Sequence, residues 1–60
     1  MANVNLSELN SIRESVTSHH TMAAKLSAFS NQCDDPGIKQ MFSQASQQAT
    51  QAAQKLTQML

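Results

Sequence analysis

Apolar and small residues recur along this chain at alternating intervals of three and four positions, in two series separated by one short break. The first series is Leu9, Ile12, Val16, His19, Ala23, Leu26, Ser30 and Cys33. The second series is Ile38, Phe42, Ala45, Ala49, Ala52, Leu56 and Met59. This spacing is typical of one face of an α-helix and differs from the alternation of a β-strand. The pattern therefore predicts two amphipathic helices and an all-α fold.

The break between the two series has the residues of a helix start. Proline suits the first position of a helix because its φ is fixed and it has no N–H group, and Asp35 before Pro36 is a suitable N-cap. Upstream, Asn5 and Glu8 have the spacing of a capping box. We predict a single domain over residues 1–60, with helix 1 at 6–32, a turn at 33–35 and helix 2 at 36–59.

So short a connection makes the two helices antiparallel neighbours. Folding the chain about Asp34 predicts these opposite pairs: Leu9 with Met59, Ile12 with Leu56, Val16 with Ala52, His19 with Ala49, Ala23 with Ala45, and Leu26 with Phe42. The outer face of helix 2 is a regular row of glutamines: Gln40, Gln44, Gln47, Gln51, Gln54 and Gln58. We expect this row to face water.

Further apolar residues flank the two series and make the apolar stripe wider than one partner helix can cover. These residues are Leu6, Met22, Phe29, Met41, Ala53 and Leu60. We predict that they form a homodimer interface, in which two hairpins build a four-helix bundle. With 60 residues, the chain has a core of the size that usually needs oligomerisation, a metal or disulfides. Completion of the hairpin by a different protein is the alternative.

Composition disfavours several classes of partner. Four basic residues balance four acidic ones, and aromatic residues make up 3% of the chain. The basic residues are scattered and the aromatic ones few, so we expect no binding to nucleic acid. The chain has no long apolar run and its N-terminus lacks the pattern of a signal peptide, so we expect no membrane association. The single cysteine, Cys33, forms no internal disulfide, which favours a cytoplasmic location.

His19 and His20 are the candidate metal ligands. Adjacent helical residues point about 100° apart, so both could approach one ion only across a dimer. Zinc and iron sites normally have more converging ligands than these. The alternative is that His19 lies at the edge of the core and forms a hydrogen bond with a hydroxyl such as that of Ser15 or Ser46.

No residue pattern of an active site is present. Glu8 and Glu14 are placed on outer faces, and the Glu-x-x-His motif of di-iron bundles does not occur. No cation lies beside Cys33 to activate its thiol, and no base is placed near a serine. We therefore predict a non-enzymatic protein without a cofactor, the one open possibility being a transition metal at the two histidines.

Three segments resemble a known family. They are Glu8-Leu9-Asn10, Ser18-His19-His20 and Gln32-Cys33-Asp34-Asp35-Pro36-Gly37-Ile38-Lys39. The chain is similar over residues 8–60 to the short ferritin-like proteins of the spore coat protein F family of spore-forming Firmicutes. The resemblance implies a ferritin-like hairpin that pairs into a four-helix bundle. It also implies a role in sporulation, deposition in the spore coat and contacts with other coat proteins.

The chain departs from this family at the positions that could bind metal. Family members tend to have a His-Glu pair where this chain has His19 and His20, and histidines where it has Ala49 and Ala52. We therefore predict a structural or assembly protein that acts as a homodimeric helical bundle. The alternatives are a metal-binding remnant of a ferritin-like protein, with His19 and His20 across the dimer, and a helical-hairpin interaction module.

Overall fold

The computed structural model describes residues 4–60, and this part of the chain consists of two α-helices without a β-strand. Helix α1 spans Leu6–Gln32, the bounds that the sequence predicts. Helix α2 spans Pro36–Thr57 and ends two residues before the predicted position 59. At the C-terminus the backbone hydrogen bonds span three residues instead of the four of an α-helix. The Met59 N–H, for example, donates to the Leu56 carbonyl at 3.0 Å. The regular helix therefore stops before the second series is complete.

The N-terminus of α1 is held by a capping box, as predicted. The Asn5 side-chain oxygen accepts a hydrogen bond of 2.8 Å from the Glu8 N–H, and Glu8 Oε1 accepts one of 3.0 Å from the Asn5 N–H. These reciprocal bonds satisfy N–H groups that have no partner within a helix. The start of α1 is thus determined by two residues close in sequence.

The turn ends α1 and starts α2 by similarly local contacts. Asp35 Oδ1 accepts a hydrogen bond of 3.0 Å from the Ile38 N–H, and Pro36 occupies the first turn of α2. Gly37 leaves room for this cap, since a Cβ at its position would lie 3.2 Å from Asp35 Oδ1. The predicted N-cap is therefore confirmed, and a side chain at position 37 would crowd it.

The two helices form an antiparallel hairpin, as predicted. The Ser46 hydroxyl donates to the Ala23 carbonyl at 2.8 Å, and nearer the turn the Ser30 hydroxyl donates to the Lys39 carbonyl at 2.9 Å. Residues further along α1 thus meet residues earlier in α2. The prediction placed Ala23 opposite Ala45, whereas the observed bond reaches the next residue, Ser46. The predicted register is therefore close to the observed one, with a shift of one position.

The residues between the helices are mostly those of the two predicted series. All members of the first series are buried or half-buried, as are Phe42, Ala45, Ala49, Ala52 and Leu56 of the second. The rings of Phe29 and Phe42 contact each other near the turn, with centroids 5.6 Å apart and planes tilted by 59°. The glutamine row is exposed along its whole length. The sequence pattern therefore assigns the exposed face of α2 correctly, and the buried face at five of the seven positions of the second series.

Three positions differ from the prediction. Ile38 and Met59, expected between the helices, are 48% and 45% exposed. Ile38 lies in the first turn of α2, and Met59 lies beyond the end of α2. Ala53, expected at the dimer interface, is 0% exposed because it lies between the helices. A residue without accessible surface in the hairpin offers nothing to a second copy.

Candidate functional site

The hairpin is thin and has a small core. Its extents are 46 × 16 × 9 Å and its radius of gyration is 14.1 Å, against about 10 Å for a compact domain of this length. The buried hydrophobic residues are Ile12, Ala23, Ala49 and Ala53, three of which are alanines. The hairpin therefore buries little apolar surface, and its larger apolar side chains remain partly in water.

Several of these larger side chains lie together on one side of the hairpin. Each helix has a line of buried residues on the side that faces the other helix, and we call the surface to either side of this buried line a flank. A rotation of about 100° per residue places Met22, Leu26 and Phe29 on one flank of α1. It places Ile38 and Met41 on one flank of α2. We call these five residues the methionine patch. Met22 is 52% exposed and Met41 is 69% exposed. The patch occupies the half of the hairpin next to the turn.

The Ser46–Ala23 hydrogen bond shows that the two flanks carrying the methionine patch, one on each helix, face the same side of the hairpin. By the same rotation, Ser46 lies on the other flank of the buried line of α2, and Ala23 lies on the buried line of α1, turned about 20° toward the corresponding flank. Since these two residues are joined by a bond of 2.8 Å, their flanks form one side of the hairpin. The remaining two flanks, which carry the methionine patch, must then form the other side.

The two sides of the hairpin differ in chemistry. The side with Ser46 also carries Ser43, Thr50 and Thr57 of α2, and the Thr50 and Thr57 hydroxyls donate to carbonyls of their own helix at 3.1 and 2.8 Å. The hydroxyl groups of Ser46, Thr50 and Thr57 therefore have partners within the chain. On the other side, the half next to the turn carries the methionine patch, whose five apolar side chains are exposed or half-buried. Only this side has the character of the centre of a protein interface, from which charged residues are depleted.

The residues predicted for the dimer interface are thus divided by the structure. Met22, Phe29 and Met41 lie together in the methionine patch, and Ala53 lies between the helices. Leu6 is 71% exposed but is rotated to nearly the opposite side of α1, and Leu60 follows the end of α2. The other two members of the patch, Leu26 and Ile38, were predicted to lie between the helices and not at the dimer interface. The angle between Ile38 and Met41 around α2 was the signal that could have placed Ile38 in the patch.

The two histidines have different surroundings. His19 is half-buried and its Nδ1 lies 2.7 Å from the Ser15 carbonyl oxygen and 3.3 Å from the Ser15 hydroxyl. Because a carbonyl oxygen only accepts hydrogen bonds, Nδ1 carries the proton in this arrangement, and in the neutral ring Nε2 is left with a lone pair. His20 is exposed on another side of α1. A hydroxyl partner was predicted for His19, whereas its short hydrogen bond goes to the backbone carbonyl of Ser15; the Ser15 hydroxyl lies 3.3 Å from the same nitrogen.

Residues 4–60 contain no group of three or more His, Cys, Asp and Glu side chains placed to hold a metal ion. Glu8 and Glu14 are exposed, and Cys33 is half-buried with a free thiol at the turn. The surface depressions follow single helices, such as the one lined by Arg13, Glu14, Thr17 and Ser18. These depressions are grooves between neighbouring side chains of α1 rather than a site enclosed by both helices.

The fold of the described residues is an antiparallel helical hairpin with one unpaired apolar side. Neither of its helices has the length and hydropathy of a membrane span. When the chain was compared with family models, curated proteins and solved structures, no match was found. The function must therefore be argued from the geometry of the hairpin.

Proposed function

We propose that this protein is a non-enzymatic assembly protein that acts as a homodimer, in which two hairpins form a ferritin-like four-helix bundle. The observation that carries this proposal is the methionine patch, on a hairpin whose buried core is mostly alanine. A domain normally packs its helices around a shared core, in which every apolar face meets another. A second copy supplies two more helices with a complementary apolar face, so it completes the core without any other component.

The accessible surface area of the hairpin supports the same proposal. Its accessible surface is 4547 Å², whereas a compact monomer of 6.5 kDa has about 3,800 Å² by the general relation between mass and surface. The excess of about 700 Å² is close to the roughly 800 Å² that each partner contributes to an interface of standard size. Burial of one side of the hairpin would remove a surface of that magnitude.

Sedimentation equilibrium of the full chain tests the homodimer. We expect a mass of two chains at micromolar concentration and dissociation on dilution. Met41→Glu places a charge in the methionine patch and should shift the equilibrium to the monomer. Gln40→Glu is the matched control, since it adds the same charge one residue away on the exposed glutamine row. A wild-type protein that stays monomeric and well ordered at high concentration would refute the proposal.

A place in the spore coat is the finer level of this proposal, and it is supported only by the resemblance of residues 8–60, above all Gln32–Lys39, to the spore coat protein F family. At this level the dimer contributes to the coat and contacts other coat proteins. Quantitative mass spectrometry of coat extracts and vegetative cells from the source organism tests it. Detection in vegetative cells alone would remove the coat assignment and leave the dimer untouched.

Metal binding at His19 is a second candidate function, favoured by one contact. Histidines that bind metals usually donate the other ring N–H to a carbonyl or carboxylate, as His19 Nδ1 does to Ser15. The Nε2 lone pair is thereby left for a ligand, and the histidines of a second copy would have to supply further ligands across the dimer. Metal analysis of untagged protein tests this. Stoichiometric zinc or iron that is lost in His19→Ala would favour it over a purely structural role.

A further inference from the structure

We infer that Met22 and Met41 form a peroxide-sensitive modification site, at which oxidation of the two sulfur atoms returns the homodimer to single hairpins. This inference rests on the proposed homodimer and adds the chemical class of reagent that acts on its interface. Met22 lies on α1 and Met41 lies on α2, so each helix contributes one oxidisable side chain to the methionine patch.

Both methionines of the patch are open to a small reagent in the single hairpin. Met41 is 69% exposed and Met22 is 52% exposed. The other three members of the patch are two aliphatic side chains and a phenyl ring, which have no group that a peroxide oxidises under mild conditions. The two methionines are therefore the members of the patch whose polarity a peroxide can change.

The positions of the two methionines around their helices place them at the surface on which a partner would dock. Ala23 is buried against α2, and Phe42 is half-buried between the helices. Because adjacent helical residues differ by about 100°, Met22 and Met41 lie nearly at right angles to the direction that joins the two helices. They therefore face out of the patch side of the hairpin.

Oxidation by a peroxide converts each thioether to a sulfoxide. A lone pair of the sulfur attacks one oxygen of hydrogen peroxide, an S–O bond forms, the O–O bond breaks and the second oxygen leaves as water. The sulfur loses two electrons and the peroxide gains them, so no other reactant takes part. The product has a polar and chiral sulfoxide in place of a flexible apolar group.

A sulfoxide in the patch opposes assembly, because docking removes the patch from water. In the single hairpin the sulfoxide oxygen accepts hydrogen bonds from water, whereas Leu26, Phe29 and Ile38 have no side-chain group that could donate one. Burial of a polar group that loses its hydrogen bonds is unfavourable. A two-fold interface contains every residue twice, so one dimer holds four of these sulfur atoms, whichever way the second copy is oriented.

The dimer in turn should protect the two methionines, since docking covers the patch. Oxidation then occurs on the single hairpin, and its rate at Met22 and Met41 should fall as the protein concentration rises above the Kd. Gln44→Met provides the matched control, because position 44 is exposed on the same helix, three residues after Met41. Oxidation of a methionine at position 44 should proceed at the same rate at every concentration.

The test uses the Cys33→Ser protein, so that oxidation of the free thiol does not contribute. Hydrogen peroxide is added, peptide mass spectrometry confirms a sulfoxide at Met22 and Met41, and sedimentation equilibrium measures the Kd before and after. We expect the Kd to rise about tenfold or more. It should recover when methionine sulfoxide reductases for both sulfur epimers, with a dithiol as reductant, remove the oxygen as water.

Met22→Leu, Met41→Leu in the same background is the control for oxidation elsewhere in the chain. Leucine and methionine have similar volumes, so this variant should keep the dimer. It retains Met1 and Met59 as oxidisable methionines, and peroxide should leave its Kd unchanged. Addition of Gln44→Met to this variant puts a sulfoxide on the exposed glutamine row, which should also leave the Kd unchanged.

The outcomes separate this inference from the proposed homodimer. A Kd that rises with peroxide, recovers with the reductases and stays constant in the leucine variant supports the inference. An unchanged Kd in protein that carries both sulfoxides overturns it and leaves the homodimer intact. An equal rise in the leucine variant overturns the assignment to Met22 and Met41, and a rise that the reductases do not reverse overturns the sulfoxide as its cause. A chain that is monomeric before treatment refutes the homodimer, and the inference with it.

Discussion

The Ser46 hydroxyl donates a hydrogen bond of 2.8 Å to the carbonyl oxygen of Ala23, a residue 23 positions earlier in the chain. The bond joins the middle of α2 to the middle of α1. It forms in a part-buried environment, where competition from water is weak. Together with the bond from Ser30 to the Lys39 carbonyl, this contact defines the relative height of the two helices, and it identifies the sides of the hairpin.

Loss of this bond should destabilise the hairpin measurably. We expect Ser46→Ala to lower the free energy of unfolding by about 1 kcal/mol, the usual net value of a hydrogen bond within a protein. Urea denaturation monitored by circular dichroism at a fixed protein concentration measures the change. Ser27→Ala is the control, because Ser27 is exposed on α1 and its replacement should have an effect near zero. Equal effects of both variants would show that the bond contributes nothing.

The space between the helices at Ala53 should not accept a larger side chain. Ala53 is completely buried where the helices approach each other, so Ala53→Leu must push them apart or adopt a strained rotamer. We expect a loss of about 1–3 kcal/mol in unfolding free energy. Ala24→Leu is the control, since Ala24 lies on an exposed position of α1. If the Ala53 variant were as stable as the control, the helices would not be closely packed at this point.

The cap of α2 gives a third prediction. Asp35→Ala removes the carboxylate that accepts from the Ile38 N–H, and we expect a loss of about 1 kcal/mol. Asp34→Ala removes a neighbouring exposed carboxylate of the same charge and should change stability little. Thermal unfolding of the two variants at equal concentration provides the comparison. The reverse order of stability would assign the cap to Asp34 instead.

The two faces of α2 can be compared by truncation at positions five residues apart. Leu56→Ala should cost about 2 kcal/mol, the low end of the range for buried leucines, since Leu56 is half-buried in the isolated hairpin. Gln51→Ala should be close to neutral because Gln51 lies on the exposed glutamine row. Chemical denaturation gives both values. A larger effect at Gln51 than at Leu56 would invert the assignment of the faces.

Assembly should be visible in thermal unfolding as well. If folding and dimerisation are coupled, the Tm rises with protein concentration by mass action. We expect this dependence in the wild-type protein and in Gln40→Glu, and its loss in Met41→Glu. Differential scanning fluorimetry over a hundredfold range of concentration measures it. A wild-type Tm that does not change over this range would contradict coupling between folding and assembly.

The helices and three of their four ends were predictable because their causes are local. The capping box of Asn5 and Glu8 and the cap at Asp35 act over three residues, so sequence spacing is enough to identify them. The glutamine row was predictable for the same reason, since its exposure follows from the period of one helix. The hydrogen bond of His19 was partly predictable: Ser15, one turn earlier, was a candidate partner through its hydroxyl, but its backbone carbonyl makes the short contact.

The errors occur where two segments must be placed against each other. Ala53 was placed on the free surface and Ile38 between the helices, although the periodicity of α2 was recognised correctly. Periodicity gives the order of residues around one helix, but it does not say which of several neighbouring rows lies closest to the partner. The small side chains of Ala49 and Ala53 allow close approach at that row, and this moves the buried line of α2.

The order of residues along this chain was thus sufficient for two helices, their caps, the antiparallel turn and a glutamine face in water, because each depends on neighbours within a few positions. The rotation of α2 against α1, and with it the gathering of Met22, Phe29, Ile38 and Met41 on one side, was settled only when the helices packed. That rotation depends on contacts between segments far apart in sequence, such as Ser46 with Ala23. A local sequence pattern does not specify the energies of such contacts.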